Sequence, residues 1–171
     1  MTRPAGVNAE TRRSVTGMPV WVIPLGFTSP PLTLNDRHHW RAHHKRVKMI
    51  RTAVWVRGRQ LRTYAVPHIH VALHYVPKDK RGRDADNLVG TLKPAIDALT
   101  AAGADRGRIC LGIVPDDTPQ HVSWSTPKIH PPDEHGPRMW LEVTAMATPP
   151  ASEAYGVTLD PEPEGSPDAI P

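Results

Sequence analysis

The chain has 171 residues, 39% hydrophobic and 22% charged, with one cysteine and a formal net charge of +4. That length suits one domain able to bury a real core, and Cys110 alone excludes an intramolecular disulfide and any multi-cysteine zinc site. Residues 148–171 hold five acids and no Lys or Arg, which leaves residues 1–147 with 21 cations against 12 acids, a net of +9. A body so basic favours a polyanion, because Lys and Arg contacts to phosphate dominate nucleic-acid affinity. No run of 18 apolar residues occurs and the N-terminus lacks the apolar core of a signal peptide, so no membrane partner is expected and a cytoplasmic protein is.

Residues 1–17 are polar and without periodicity, which predicts a disordered leader. Met18 to Phe27 contains Val20-Trp21-Val22-Ile23 between prolines, the pattern of a buried strand. Asn35 or Asp36 is then placed to cap a helix running to about Leu61, with an apolar stripe of Trp40, Val47, Ile50, Val54 and Leu61. The rest of its surface carries Arg37, Arg41, Lys45, Arg46, Lys48 and Arg51, and no acid follows Asp36 in this segment. An ordinary solvated helix would mix signs, so this face is a candidate for the DNA backbone. His38, His39, His43 and His44 sit among these cations. His39 and His43 are one turn apart, but no Glu completes a zinc-protease pattern, and solvated or phosphate-facing rings are the better reading.

Pro67 to Val76 alternates, with Ile69, Val71, Leu73 and Tyr75 on one face and His68, His70, Ala72 and His74 on the other, as in a half-buried strand. It leads into Arg81-Gly82-Arg83-Asp84-Ala85-Asp86-Asn87, and Arg81 and Arg83 join the candidate DNA contacts. In extended chain residues i and i+2 point the same way, so Asp84 and Asp86 can reach one ion, and Asn87 or Asp86 can cap the helix that follows. A stripe of Leu88, Leu92, Ala95 or Ile96, Leu99 and Ala102 predicts that helix, ending at Gly103. Lys93 lies two turns after Asp86, on the same side, and Asp97 one turn later is expected to pair with it; Pro94 is expected to bend the helix or mark its restart near Thr91. A second acidic pair, Asp116-Asp117, follows on a Pro-flanked turn.

Two carboxylates about 4 Å apart repel by roughly 4 kcal/mol at an effective dielectric of about 20, a penalty that a bound cation removes. Asp84, Asp86, Asp117 and Asp116 therefore suggest a hard-metal site with oxygen ligands, Mg2+ or Mn2+, on a basic surface, and that pairing suggests a nuclease. Taken singly, each acidic motif is also what a helix start or a turn uses. Downstream, 121–126 and 138–146 read as strands joined by a Pro-rich linker, and 148–171, rich in Pro and acid, as a disordered tail placed to fold over the basic face. The element order predicts an α/β or α+β domain over 18–147: a small mixed sheet of about four strands packed with two main helices.

Asp84-Ala85-Asp86-Asn87-Leu88, Lys93, Asp97-Ala98-Leu99, Ala102-Gly103 and Asp116-Asp117, with Pro30-Pro31-Leu32-Thr33-Leu34-Asn35 upstream, resemble the RusA-type Holliday junction resolvases, the crossover junction endodeoxyribonucleases of bacteria and their phages. The resemblance spans roughly residues 18–147 and is specific only over 84–117. It implies a RusA-like fold, a homodimer, and Mg2+-dependent cutting of four-way DNA junctions in recombination, repair or phage DNA processing, leaving a 5′-phosphate. It also implies that Asp84, Asp86 and Asp117 hold the metal, with Asp116 beside them, and that Lys93 assists catalysis. The family's Lys stands four residues after the second Asp, where this chain has Gly90, so an insertion of about one turn is read within 88–92 and a second over about 104–112. Two alternatives remain: a branched-DNA-binding protein without catalysis, and a metal-dependent nucleotide phosphohydrolase, against which stand the +9 body and the lack of a Gly-rich phosphate loop.

Overall fold

A computed structural model describes residues 7–35, 39–104 and 107–148. Its elements are β1 (Glu10–Arg13), β2 (Pro19–Pro24), α1 (Trp40–Gln60), β3 (His68–Val76), a 3-10 turn (Asp86–Leu88), α2 (Val89–Leu99), β4 (Val122–Trp124), β5 (Lys128–Ile129) and β6 (Arg138–Met146). The fold is mixed α+β. One six-stranded sheet runs in the order β1-β2-β6-β3-β4, with β5 also on β3. β3 pairs antiparallel with β6 over its full length, from His68 opposite Met146 to Val76 opposite Arg138, and parallel with β4 and β5.

The alternating pattern sets which face is buried. Ile69, Val71, Leu73 and Tyr75 of β3 stand beside Ala145, Val143, Leu141 and Met139 of β6 and, through β6, beside Trp21 and Ile23 of β2. These join Ile50 and Val54 of α1 and Leu92, Ala95 and Leu99 of α2 in one buried cluster. Each fully buried aliphatic side chain contributes about 1.5–3 kcal/mol of transfer free energy, which is what fixes the strand register.

Several expectations change. The leader contains β1, whose Glu10, Thr11, Arg12 and Arg13 pair with β2 by backbone bonds that need no apolar pattern. The sheet has six strands rather than four, because β5 lies within the Pro-rich linker. α1 starts at Trp40 with His39 as its cap, the ring Nδ1 accepting from the Arg41 N–H at 3.4 Å, and not after Asn35 or Asp36. Trp40 is 62% exposed and leaves the apolar stripe, which Gly58 extends instead. α1 ends where Arg62 takes φ of 51°, a left-handed conformation more usual for Gly. β3 is buried on both faces, not one. α2 ends at Leu99 rather than Gly103: the carbonyls of Ala98 and Leu99 accept from the N–H groups of Leu111 and Ile113 at 2.7 and 2.8 Å, so the returning chain closes the helix. α2 is assigned as one helix through Pro94, with no restart at Thr91. Residues 36–38, which include the proposed cap Asp36, and the tail beyond 148 lie outside the described residues.

Candidate nucleic-acid and metal site

The loop from β3 to the 3-10 turn is held by its own charges. The Arg83 guanidinium donates to the Asp79 carboxylate at 2.7 Å and to the backbone carbonyls of Asp79 and Arg81 at 3.0 and 2.9 Å. That bond holds the Asp79 carboxyl below its usual range. Arg83 thus staples the loop, whereas Arg81 keeps its side chain 87% exposed. Asp84 Oδ1 accepts from the Asp86 N–H at 3.0 Å, taking the role at the helix start expected of Asn87 or Asp86. Both carboxylates are exposed.

Asn87 is used differently. Its Oδ1 accepts from Asn35 Nδ2 at 2.9 Å and its carbonyl from the Leu34 N–H at 3.1 Å. One turn further, the buried Thr91 hydroxyl donates to the Leu32 carbonyl at 2.6 Å and accepts from the Leu32 N–H at 3.3 Å. The two distant halves of the sequence pattern, 32–35 and 84–91, are therefore one structural unit. Gly90 marks the closest approach: a Cβ there would lie 2.8 Å from the Thr33 carbonyl carbon and 3.1 Å from the Leu34 nitrogen. At the position four residues after Asp86 the crossing chain leaves no room for a side chain, so no cation can stand there. Lys93 is exposed in the second turn of α2. Its expected partner Asp97 is instead bonded to Arg51 of α1.

Asp116 and Asp117 sit elsewhere. Val114 forms a parallel bridge with Thr100, just past the end of α2, and the Ile113 carbonyl accepts from the Val66 N–H that precedes β3. α2 is the crossover between parallel strands, so it carries the chain from the end of β3 back to its beginning. Asp84 and Asp86 stand before α2, and Asp116 and Asp117 beyond it. Its 11 residues span roughly 16 Å at about 1.5 Å each. Asp116 is further occupied by the N–H and hydroxyl of Thr118 at 3.0 and 2.6 Å, which lower its carboxyl's affinity for protons. Among the described residues no three His, Cys, Asp or Glu side chains are grouped to hold a metal ion. Asp84, Asp86 and Asp117 of a single chain therefore do not make the ion site expected of them. His39 and His43 belong to no such group of three among the described residues, and His39 Nδ1 is engaged in the helix cap.

The cationic face of α1 is there, with its members in different roles. Arg41, Lys45 and Lys48 are exposed; Arg41 lies over the Trp40 ring at 5.2 Å and Arg59 over Trp55 at 5.0 Å. Arg46 donates to the Pro31 carbonyl at 2.9 Å and Arg51 to Asp97, so these two hold the fold as well as adding charge. Arg37 lies outside the described residues.

A polar network on the helix-free face of the sheet was not foreseen. His68 Nδ1 faces the Gln120 carbonyl at 3.0 Å and donates to it, while His68 Nε2 and His70 Nδ1 each share a hydrogen bond with Ser123 Oγ at 2.9 Å. His74 Nδ1 meets His130 Nε2 at 2.9 Å, and both rings stack on Trp140, over which Arg138 lies at 5.9 Å. Burial, with His130 and Lys128 adding repulsion, holds His74 at about 4. The sequence signal was the run of His on one face of β3. Their partners Ser123, His130 and Trp140 follow only from strand pairing.

No helix among the described residues is long and apolar enough to cross a membrane. No protein-family model matches this chain, and no curated protein matches it.

Proposed function

We propose that the protein is a metal-dependent endodeoxyribonuclease acting on four-way DNA junctions, cutting paired strands in recombination, repair or phage DNA processing. One observation carries the reading: Asp84 and Asp86 are presented side by side, exposed, at a helix start pinned by the 32–35 segment, on a body whose long helix bears exposed cations and no acid. Arg41, Lys45, Lys48 and Arg81 supply phosphate contacts in this reading, and Lys93 a cation beside α2.

The separation of the acids makes the reading depend on a second copy. In a homodimer, Asp84 and Asp86 of one protomer would be completed by Asp117 of its partner, giving two equivalent sites for two strands of like polarity. Mg2+ or Mn2+ would be held there, between chains, since it does not find three carboxylates in one. The crowding at Gly90, which removes a cation from the acidic entry, favours one alternative: a branched-DNA-binding protein without catalysis.

The test is a labelled synthetic four-way junction beside linear duplex, with Mg2+ or EDTA. Paired Mg2+-dependent nicks in the junction alone are expected. Asp86→Asn should lose cutting by at least about 100-fold while binding is kept or tightened, because one charge repelling phosphate is gone. Wild-type binding without cutting would establish the alternative, and wild-type rates in Asp86→Asn would sink the site assignment.

A further inference from the structure

The segment after α2 does more than return the chain to the sheet. Leu111 packs where α1 has Gly58; a Cβ on Gly58 would meet the Leu111 Cδ1 at 2.2 Å, so the glycine is a socket for this side chain. The Leu111 N–H is bonded to the Ala98 carbonyl at 2.7 Å and the Arg108 N–H to the Gly103 carbonyl at 3.1 Å. The Arg108 stem lies over Gly103, whose φ of +87° and lack of a Cβ admit it: a Cβ would come 2.6 Å from Arg108 Cδ. Residues 107–109 are thus fixed as a wall opposite the first half of α1.

Between them lies a cleft of about 490 Å³, lined by His43, His44, Lys48 and Arg51 of α1 and by Arg108 and Ile109 of the wall. No acid lines it. Asp97 is bonded to Arg51 through Nη2, while Arg51 Nε is buried and has no acceptor among the described residues. The cations of the cleft meet no acid among its described lining residues, and an oxyanion is the group that can meet several of them at once.

We infer that this cleft is a phosphate site, and that the phosphate it takes is one of the nucleic-acid backbone. It rests on the reading of the protein as a DNA enzyme for the source of that phosphate, not for the site itself. None of Asp84, Asp86, Asp116 and Asp117 is among the residues that line the cleft, so its contact positions a duplex arm and takes no part in bond breaking. Arg108 is the residue on which it turns, since its stem is held against Gly103 while the residue lines the cleft.

The experiment uses the full chain in two arms. Inorganic phosphate is titrated in and followed by the backbone amide resonances of 48–51 and 107–109. Binding of the four-way junction is measured across a salt series for wild type, Arg108→Met, which keeps the stem over Gly103, and Arg12→Met, which removes one charge on β1. Phosphate-dependent shifts confined to those amides, with the slope of log K against log salt reduced by about 0.9 in Arg108→Met and unchanged in Arg12→Met, are expected. Normal wild-type DNA binding with no phosphate shifts and no change in slope would overturn the cleft while leaving the nuclease reading intact. Phosphate shifts abolished by Arg108→Met in a protein that binds no DNA would uphold the phosphate site and overturn both its DNA source and the nuclease reading.

Discussion

Gly90→Ala puts a single methyl group against the crossing of 32–35 over α2. In an open helix the change is favourable, by about 1 kcal/mol of helix propensity. Here the new Cβ would lie 2.8 Å from the Thr33 carbonyl carbon and 3.1 Å from both the Leu34 nitrogen and Thr33 Cα, so the obstacle is backbone and not the end of a flexible side chain. Overpacking of this kind costs typically about 1–3 kcal/mol. If the segment moves away instead, it surrenders the Leu34–Asn87, Asn35–Asn87 and Leu32–Thr91 hydrogen bonds, each worth about 0.5–1.5 kcal/mol. After subtracting the propensity gain of about 1 kcal/mol, the net is a destabilisation of up to about 2 kcal/mol, read as a lower urea midpoint at unchanged m-value. Gly82→Ala is the control, since a Cβ there meets nothing within 4 Å; its midpoint should move by no more than about 0.5 kcal/mol equivalent. A Gly90→Ala protein more stable than wild type would refute the crossing, and with it the account of why no cation stands four residues after Asp86.

Thr91→Val keeps the shape but leaves the Leu32 N–H and carbonyl unpaired in a buried place, so a loss of about 2–4 kcal/mol is expected from urea unfolding; a loss under about 0.5 kcal/mol would mean water or another group replaces the hydroxyl. His74 gives a pH dependence. Its folded value of about 4 lies below the ordinary 6.5, so the unfolded chain binds the extra proton; the contribution is complete above about pH 6.5 and lost as pH falls toward about 4, to a limit of about 3 kcal/mol. Unfolding midpoints of wild type and His74→Phe between about pH 7 and about pH 4.5 should converge or cross as the acid-induced loss shrinks in the variant; identical pH profiles would exclude His74 as the source.

The parts of the fold visible in the sequence are those whose period reports a buried face. β6 alternates strictly in burial, β3 alternates in sequence although both its faces are buried, and α1 shows Val47, Ile50 and Val54 at helical spacing, because each turns apolar groups toward one core. β1 and β5 were invisible for the opposite reason: Glu10–Arg13 and Lys128–Ile129 are held by backbone pairing at sheet edges, with Ile129 alone of them packed against the core. The start of α1 was obscured because His39 caps it, a residue outside the usual Ser, Thr, Asp or Asn set. For the site, the Asp84 and Asp86 motif was readable as chemistry, but Asn87 and Gly90 take their meaning from a segment more than 50 residues away in sequence. The separation of Asp117 was implicit in the strand order. Once β4 is parallel to β3, whatever precedes β4 lies at the other end of the crossover helix from whatever follows β3.

That separation is the central claim, and subunit mixing tests it most directly. Asp86→Asn and Asp117→Asn are each prepared alone and also refolded together, beside wild type refolded in the same way, and Mg2+-dependent nicking of a four-way junction is measured. Each variant alone should be inactive. In the mixture, heterodimers hold one composite site with both residues intact, so nicking should return, on one strand of a junction rather than as a paired cut. Two inactive variants that stay inactive when mixed, while refolded wild type cuts normally, would place all three acids in one chain and contradict the account.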